Sequence, residues 1–304
     1  MSNRILSTSA GTNQEAFSAL DWLLFVSISI IWGSSFLLMD IGLDALQPGL
    51  ITWMRVGLGA AALLLVPRAR KPIDPVDRSR VLVLSVLWVA VPFTLFPLAQ
   101  QYIDSAVAGM LNGAVPIFTA IFAAAMLRRL PRGAQLAGLA IGFAGVVLMS
   151  VSSGAEGSTE ALGVGMILLA TVCYGLAVNI ATPLTQRYGS LPVMARMLAL
   201  ATIWTAPFGI SGALDSSFAW DSVLAVAAAG AIGTGLAFFI FGTLVGSVGS
   251  TRGSFITYMI PVVALSLGIT LRSDKVSLWA VLGVGLAIVG AVLASRREAV
   301  RTVR

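Results

Sequence analysis

Ten long apolar runs divide this chain, and that division restricts its possible folds more than any other feature. The runs fall at about Asp21 to Ile41, Gly49 to Val66, Val81 to Tyr102, Ala106 to Leu127, Ala134 to Val151, Leu162 to Gln186, Leu191 to Leu214, Ser222 to Val248, Gly253 to Leu271 and Leu278 to Ser295. An apolar helix crosses the hydrocarbon core of a bilayer in about 20 residues. Runs of this length, rich in Leu, Ala and Gly, are not barrel strands, whose lipid-facing residues alternate with polar ones. The expected fold is therefore an all-α integral membrane protein of ten transmembrane helices. What is left over makes loops and tails, with no room for a folded domain outside the membrane. Of the 304 residues only 11% are charged, against about 25% in soluble domains.

The few charges are unevenly placed. If the N-terminus and every second loop are put on one side, that side holds Arg4, the group from Arg68 to Arg80, Arg128, Arg129, Arg132, Arg187, Arg252 and the C-terminal Arg296, Arg297, Arg301 and Arg304. This is 15 of the 19 Lys and Arg residues. Arg272 and Lys275 lie on the other side, and Arg55 and Arg196 fall within runs. An excess of basic loop residues marks the cytoplasmic face, so both termini are expected there. Short, scattered basic loops without interleaved aromatics fit contact with anionic lipid and not nucleic-acid binding. Residues 1–20 read as a short cytoplasmic tail before an uncleaved first span, and 296–304 as a basic cytoplasmic tail.

The chain also repeats. A shift of 145 positions places Ser105 on Ser250, Phe93 and Phe96 on Phe238 and Phe241, Pro116 on Pro261, Gly138 on Gly283 and Gly145 on Gly290. With a small gap, Arg55 falls on Arg196, and Trp32-Gly33 on Tyr174-Gly175. Residues 21–151 and 162–295 thus read as two five-helix repeats. An odd number of spans per repeat inverts the second copy in the membrane, an architecture used by secondary transporters that rock one half against the other.

Several of these residues together resemble the EamA-type branch of the drug/metabolite transporter superfamily: Ile31-Trp32-Gly33-Ser34-Ser35-Phe36 in the first run, Pro48 and Arg55 in the second, Pro116 and Pro261 in the fourth and ninth, and Gln135, Gly138 and Gly145 in the fifth. The turns after the fourth and ninth runs, Leu127-Arg128-Arg129-Leu130-Pro131 and Leu271-Arg272-Ser273-Asp274-Lys275, depart from the Gly-Glu turns frequent in that family. The resemblance implies a bacterial-type inner-membrane carrier, often an exporter of amino acids or related metabolites, with a central cavity shared by the two halves.

Within the runs, the residues able to meet a solute are few. Pro116 and Pro261 each remove a backbone donor and kink a helix, as hinges or by freeing carbonyls near Asn112 and Thr257. Asn112 and Asn179 are costly in hydrocarbon, and either line a cavity or bond between helices. Trp32, Trp88, Tyr174, Phe238, Phe241 and Tyr258 are candidates for an amphipathic cavity wall, with core packing as the alternative reading. Arg55 and Arg196 either pair with a carboxylate or helix-end carbonyls, act in a gate, meet an anionic substrate, or snorkel to the interface. Asp40 is a candidate partner for Arg55.

Absences narrow the chemistry. There is no histidine, and the single Cys173 lies inside an apolar run, so His-dependent catalysis, a zinc site and a redox cysteine pair lack their residues. No metal or cofactor is expected. All 13 acids fall at or beyond the end of a run, which points to facilitated or exchange transport of a zwitterionic or neutral solute without a midplane proton relay. The sequence therefore reads as a secondary transporter of small metabolites, most simply an exporter of amino acids or similar amphipathic compounds. Its partners would be a small-molecule substrate and the lipid bilayer; the sequence leaves the oligomeric state open and is compatible with a monomer. A channel, receptor or assembly subunit without turnover is the competing reading.

Overall fold

The computed structural model describes residues 5–103, 108–109, 111–128, 130, 133–151, 158–260, 262–263, 266–267 and 278–296. Every regular element among them is helical. In chain order these are α1 (Ala19–Leu43), α2 (Pro48–Leu64), α3 (Pro75–Ala99), α4 (Asn112–Leu127), α5 (Ala134–Val151), α6 (Ser158–Tyr188), α7 (Ser190–Leu214), α8 (Trp220–Val248), α9 (Ser250–Ser254) and α10 (Leu278–Ala294). Five of them, α1, α3, α6, α7 and α8, are long and apolar enough to cross a membrane by themselves, and α2, α4 and parts of α5 and α10 are shorter apolar helices. Large apolar side chains cover the outside: Leu23, Val26 and Ile30 on α1, Ile203, Trp204 and Ile210 on α7, and Val281, Leu282 and Val289 on α10 are all exposed. Such a surface is stable against lipid and not against water.

Helix ends follow from local chemistry. Ser18 and Asp21 form a reciprocal capping box at the start of α1, satisfying two otherwise orphaned donors. Pro48 and Pro75 open α2 and α3, where a missing N–H costs nothing. Single glycines with positive φ, Gly189 at 80° and Gly249 at 86°, separate α6 from α7 and α8 from α9; a side chain there would strain the break.

Small residues set the helix packing. α2 lies against α7, where a Cβ on Gly49 would come within 2.2 Å of the Phe208 carbonyl oxygen. α5 lies against α10, where a Cβ on Gly138 would be 2.6 Å from the Gly290 oxygen and one on Gly145 would be 2.6 Å from the Gly283 oxygen. In lipid, where apolar surface alone does not drive association, such close backbone contact provides the packing energy.

Two helices are widened. α3 contains a π-turn at Ser85–Ala90 and α8 one at Ala231–Leu236. In α3, Pro92 follows the turn and Pro97 lies inside the last segment. The N–H missing at Pro97 leaves the Phe93 carbonyl without its helical donor, and the buried Thr52 Oγ1 of α2 donates to it at 2.7 Å.

Residues 5–18, expected as a plain tail, run across the helix ends. Arg80 donates to the Ser7 carbonyl at 2.9 Å, Gln186 to that of Ala10 at 2.7 Å, and Arg252 to those of Asn13 and Glu15 at 3.0 and 2.7 Å. Asn13 N–H donates to Ser247 O at 2.8 Å, and Phe17 N–H to Ser295 O at 3.2 Å. Arg252 and Arg80, counted with the loop charges in the sequence, are in fact buried, because these carbonyls replace water around them.

Candidate functional site

Between the helices lies a cavity of about 680 Å3, its mouth included. Its lining comes from Trp32, Ser35, Phe36 and Met39 of α1, Arg55 of α2, Trp88, Phe93 and Phe96 of α3, Asn112 and Val115 of α4, Tyr174 and Val178 of α6, Phe238 and Phe241 of α8, and Thr257 and Ile260 beyond α9. On α1 and α3 these positions occupy the C-terminal halves of the helices, away from the N-terminal segment. Between that segment and the cavity lies a packed apolar layer that includes Phe25, Ile28, Leu84, Leu184 and Val245.

The wall is an aromatic lattice. Trp32 meets Phe241 at 5.0 Å between ring centroids, Trp88 meets Phe238 at 5.2 Å edge to face, and Phe93 lies 5.9 Å from Phe238. Phe96 stacks on Tyr174 at 6.0 Å. Contacts of this kind contribute roughly 0.5–1.5 kcal/mol each beyond area burial, so the rings stabilise one another's placement. Both π-turns feed it: Trp88 lies within the first, and the second offers the Gly233 carbonyl to which Trp32 Nε1–H donates at 3.1 Å. A π-turn shifts the register of the following helix, which bears on where Phe93, Phe96, Phe238 and Phe241 point.

Arg55 is the positively charged residue of the lining. It is buried, its Nη1 donates to the Met39 sulfur at 3.4 Å, and its guanidinium lies 4.9 Å from the centroid of the Phe93 ring. Asp40 is not among its partners. Asn112, also buried, leaves its Oδ1 without a donor among the described residues.

Of the residues singled out from sequence, Trp32, Trp88, Asn112, Tyr174, Phe238, Phe241, Thr257 and Arg55 come together here. Asn179 and Tyr258 do not line the cavity. Asn179 donates to the carbonyls of Thr119 and Gly175, both at 2.9 Å, and accepts from Ser250 Oγ at 2.8 Å. Tyr258 donates to the Leu139 carbonyl at 3.0 Å and packs on Phe255. Arg196 lies apart, donating to the carbonyls of Ala69 at 2.8 Å and Arg70 at 3.0 Å; it caps the short 3-10 turn Pro67–Arg70. Pro116, expected mid-helix, sits in the first turn of regular helix behind the 3-10 turn Asn112–Ala114. The Asn112 carbonyl is accordingly not freed, because Val115 N–H donates to it. Pro261 lies outside the described residues. Phe93 and Phe96 were not among the wall candidates, although the 145-residue shift pairs them with Phe238 and Phe241.

The sequence profile of the EamA-like transporter family matches residues 21–151 and again 161–296. The chain belongs to the EamA-like transporter family. Among its relatives, an uncharacterized transporter of Archaeoglobus fulgidus is 25% identical over 91% of this chain and 99% of its own length. The uncharacterized inner membrane transporter YedA of Escherichia coli K12 is 26% identical over 88% of each chain. A probable terminal-alkyne amino-acid exporter of Streptantibioticus cattleyicolor is 24% identical over 91% of this chain and 93% of its own. A crystal structure with 19% identity superposes with a TM-score of 0.70 over 90% of this chain and 96% of that one, which supports the fold alone. As an EamA-like transporter, the protein is a multi-pass membrane protein of the inner-membrane kind and not an enzyme.

Proposed function

We propose that this EamA-like transporter is a secondary carrier that exports small amphipathic metabolites, amino acids or close analogues, by alternating access around the central cavity. In this reading it has ten spans in two inverted five-helix repeats, both termini are cytoplasmic, and the monomer is the working unit. The observation that carries it is the cavity itself, formed within one chain and lined from both segments that match the family. The α5–α10 contact supports the inverted repeat: Gly138 corresponds to Gly283 and Gly145 to Gly290, so exchanging equivalents turns the Gly138–Gly290 contact into the Gly145–Gly283 contact. A two-fold axis between the helices has that consequence. No acid lies among the cavity's described lining residues, in keeping with facilitated or exchange transport. The amino-acid exporter among the relatives supports the substrate class.

The test is counterflow. Proteoliposomes preloaded with unlabelled amino acids, sugars or nucleosides should accumulate the matching labelled compound transiently for at least one amino acid. If no compound exchanges while a known carrier reconstituted in parallel does, the reading fails.

A further inference from the structure

Four other arginines of this chain, Arg80 and Arg252 buried, Arg196 half-buried and Arg187 exposed, have partners that account for them. Arg80 lies 3.7 Å from Asp77 and donates to two carbonyls, Arg187 pairs with Asp74 and Asp77, Arg252 donates to three carbonyls, and Arg196 caps a turn. Arg55 is different. It is 7% exposed and sits about midway along α2, yet among the described residues its one hydrogen bond goes to a thioether sulfur, a weak acceptor. Its Nε is buried and has no hydrogen-bond partner among the described residues. The Phe93 face supplies a cation–π contact, an attraction smaller than a full ion pair. The cost of burying an unpaired charge is several kcal/mol even after relaxation. Arg55 is therefore an uncompensated cation facing a cavity, with the planar donor fork of a guanidinium still free.

We propose that Arg55 binds the carboxylate of the transported solute, whose apolar body packs on the ring wall of Trp32, Trp88, Phe238 and Phe241. One guanidinium matches one planar monovalent anion; a phosphate dianion would bring a second charge for which the described lining offers no cation. The inference rests on the transporter reading and narrows its substrates to carboxylates. Two sources carry this group, a zwitterionic amino acid and a simple carboxylic acid.

Purified protein in detergent is titrated with L-phenylalanine, L-leucine, 3-phenylpropanoate and 4-methylpentanoate, and with phenylalaninamide and uridine as solutes without a carboxylate. At least one carboxylate should raise the unfolding midpoint by about 2–4 °C at saturation, and the last two should not. Whether the amino acid or its deaminated analogue acts at lower concentration identifies the source. Arg55→Met should raise the half-saturating concentration about tenfold or more, and Arg55→Lys by less, because the ammonium keeps the charge and loses the fork. Without ligand, Arg55→Met should unfold at the wild-type midpoint or above, since an unpaired buried charge is gone; a merely structural arginine would give the reverse. The inference is overturned if no carboxylate shifts the midpoint, if the amide binds as well as the acid, or if ligand-free Arg55→Met is strongly destabilised. Transport of carboxylate-free solutes alone would sink this inference and leave the carrier reading standing, whereas failed counterflow with intact carboxylate binding would do the opposite.

Discussion

Asn112 and Asn179 are the same residue type on helices that touch, and their surroundings assign them different work. Asn179 has every polar atom accounted for, with bonds to Thr119, Gly175 and Ser250; it joins α4, α6 and α9. Asn112 faces the cavity with an Oδ1 that has no partner among the described residues. Asn179→Ala is expected to cost about 1–2 kcal/mol of stability, seen as a lower unfolding midpoint, with an unchanged half-saturation in counterflow. Asn112→Ala should do the reverse, raising half-saturation while barely moving the midpoint. A shift in stability with Asn112 and in affinity with Asn179 would refute the assignment. Both residues stood out in the sequence because an amide in hydrocarbon is conspicuous, but the sequence could not separate them. The difference lies in contacts between residues as far apart as 179 and 250, which no local pattern encodes. Arg55 and Arg196 make the same point: the repeat pairs them, yet one meets a cavity and the other meets the carbonyls of a turn that follows α2 and has no described counterpart.

At the scale of elements, apolar runs were readable because a span needs a fixed length of apolar residues, and five of them coincide with described helices long and apolar enough to cross a membrane. The π-turns of α3 and α8 were not readable, since a one-residue widening of a helix leaves apolar composition unchanged. Pro97 likewise leaves no trace beyond its own presence until Thr52 is seen to satisfy the Phe93 carbonyl. The glycines of the α5–α10 contact, by contrast, stood out in the sequence as equivalent positions of the 145-residue shift. A Cβ on Gly290 would lie 2.6 Å from the Gly142 Cα and 2.8 Å from the Gly138 oxygen. Because both are backbone atoms, no side chain can swing away and α10 would have to move off α5. Gly290→Ala should therefore cost about 1–3 kcal/mol, as overpacking does, whereas Gly285→Ala, with nothing within 4 Å of its Cβ, should be neutral or slightly stabilising through helix propensity. Equal unfolding midpoints for the two variants would contradict this packing.

On the scale of the whole molecule, the N-terminal segment runs across one end of the helices. It binds Arg80 in the first family-matched segment and Gln186, Ser247, Arg252 and Ser295 in the second, so it ties together the two parts that alternating access would move apart. Its order was invisible in the sequence, because residues 5–18 have no apolar period and their partners lie more than 200 positions away in several cases. Beneath it, Asp77 joins Arg80, Arg187 and Tyr188, again linking α3 to α6. In the proposed alternating access, bonds that are lost on opening at this end would favour the closed arrangement, and an allosteric coupling typically amounts to about 1–3 kcal/mol. Deleting residues 1–17, which leaves the Ser18 cap of α1 in place, should shift the population towards the state open at this end. The measurement is thiol labelling of Thr185→Cys, a buried position within 3.2 Å of a Cβ on Gly246, in a Cys173→Ala background. Labelling should accelerate about tenfold, equivalent to roughly 1.4 kcal/mol, and Arg252→Gln in the full-length chain should reproduce part of the gain. If both leave labelling unchanged while the protein remains folded and carboxylate binding persists, the segment is a passive cover and closure rests on the apolar layer beneath it.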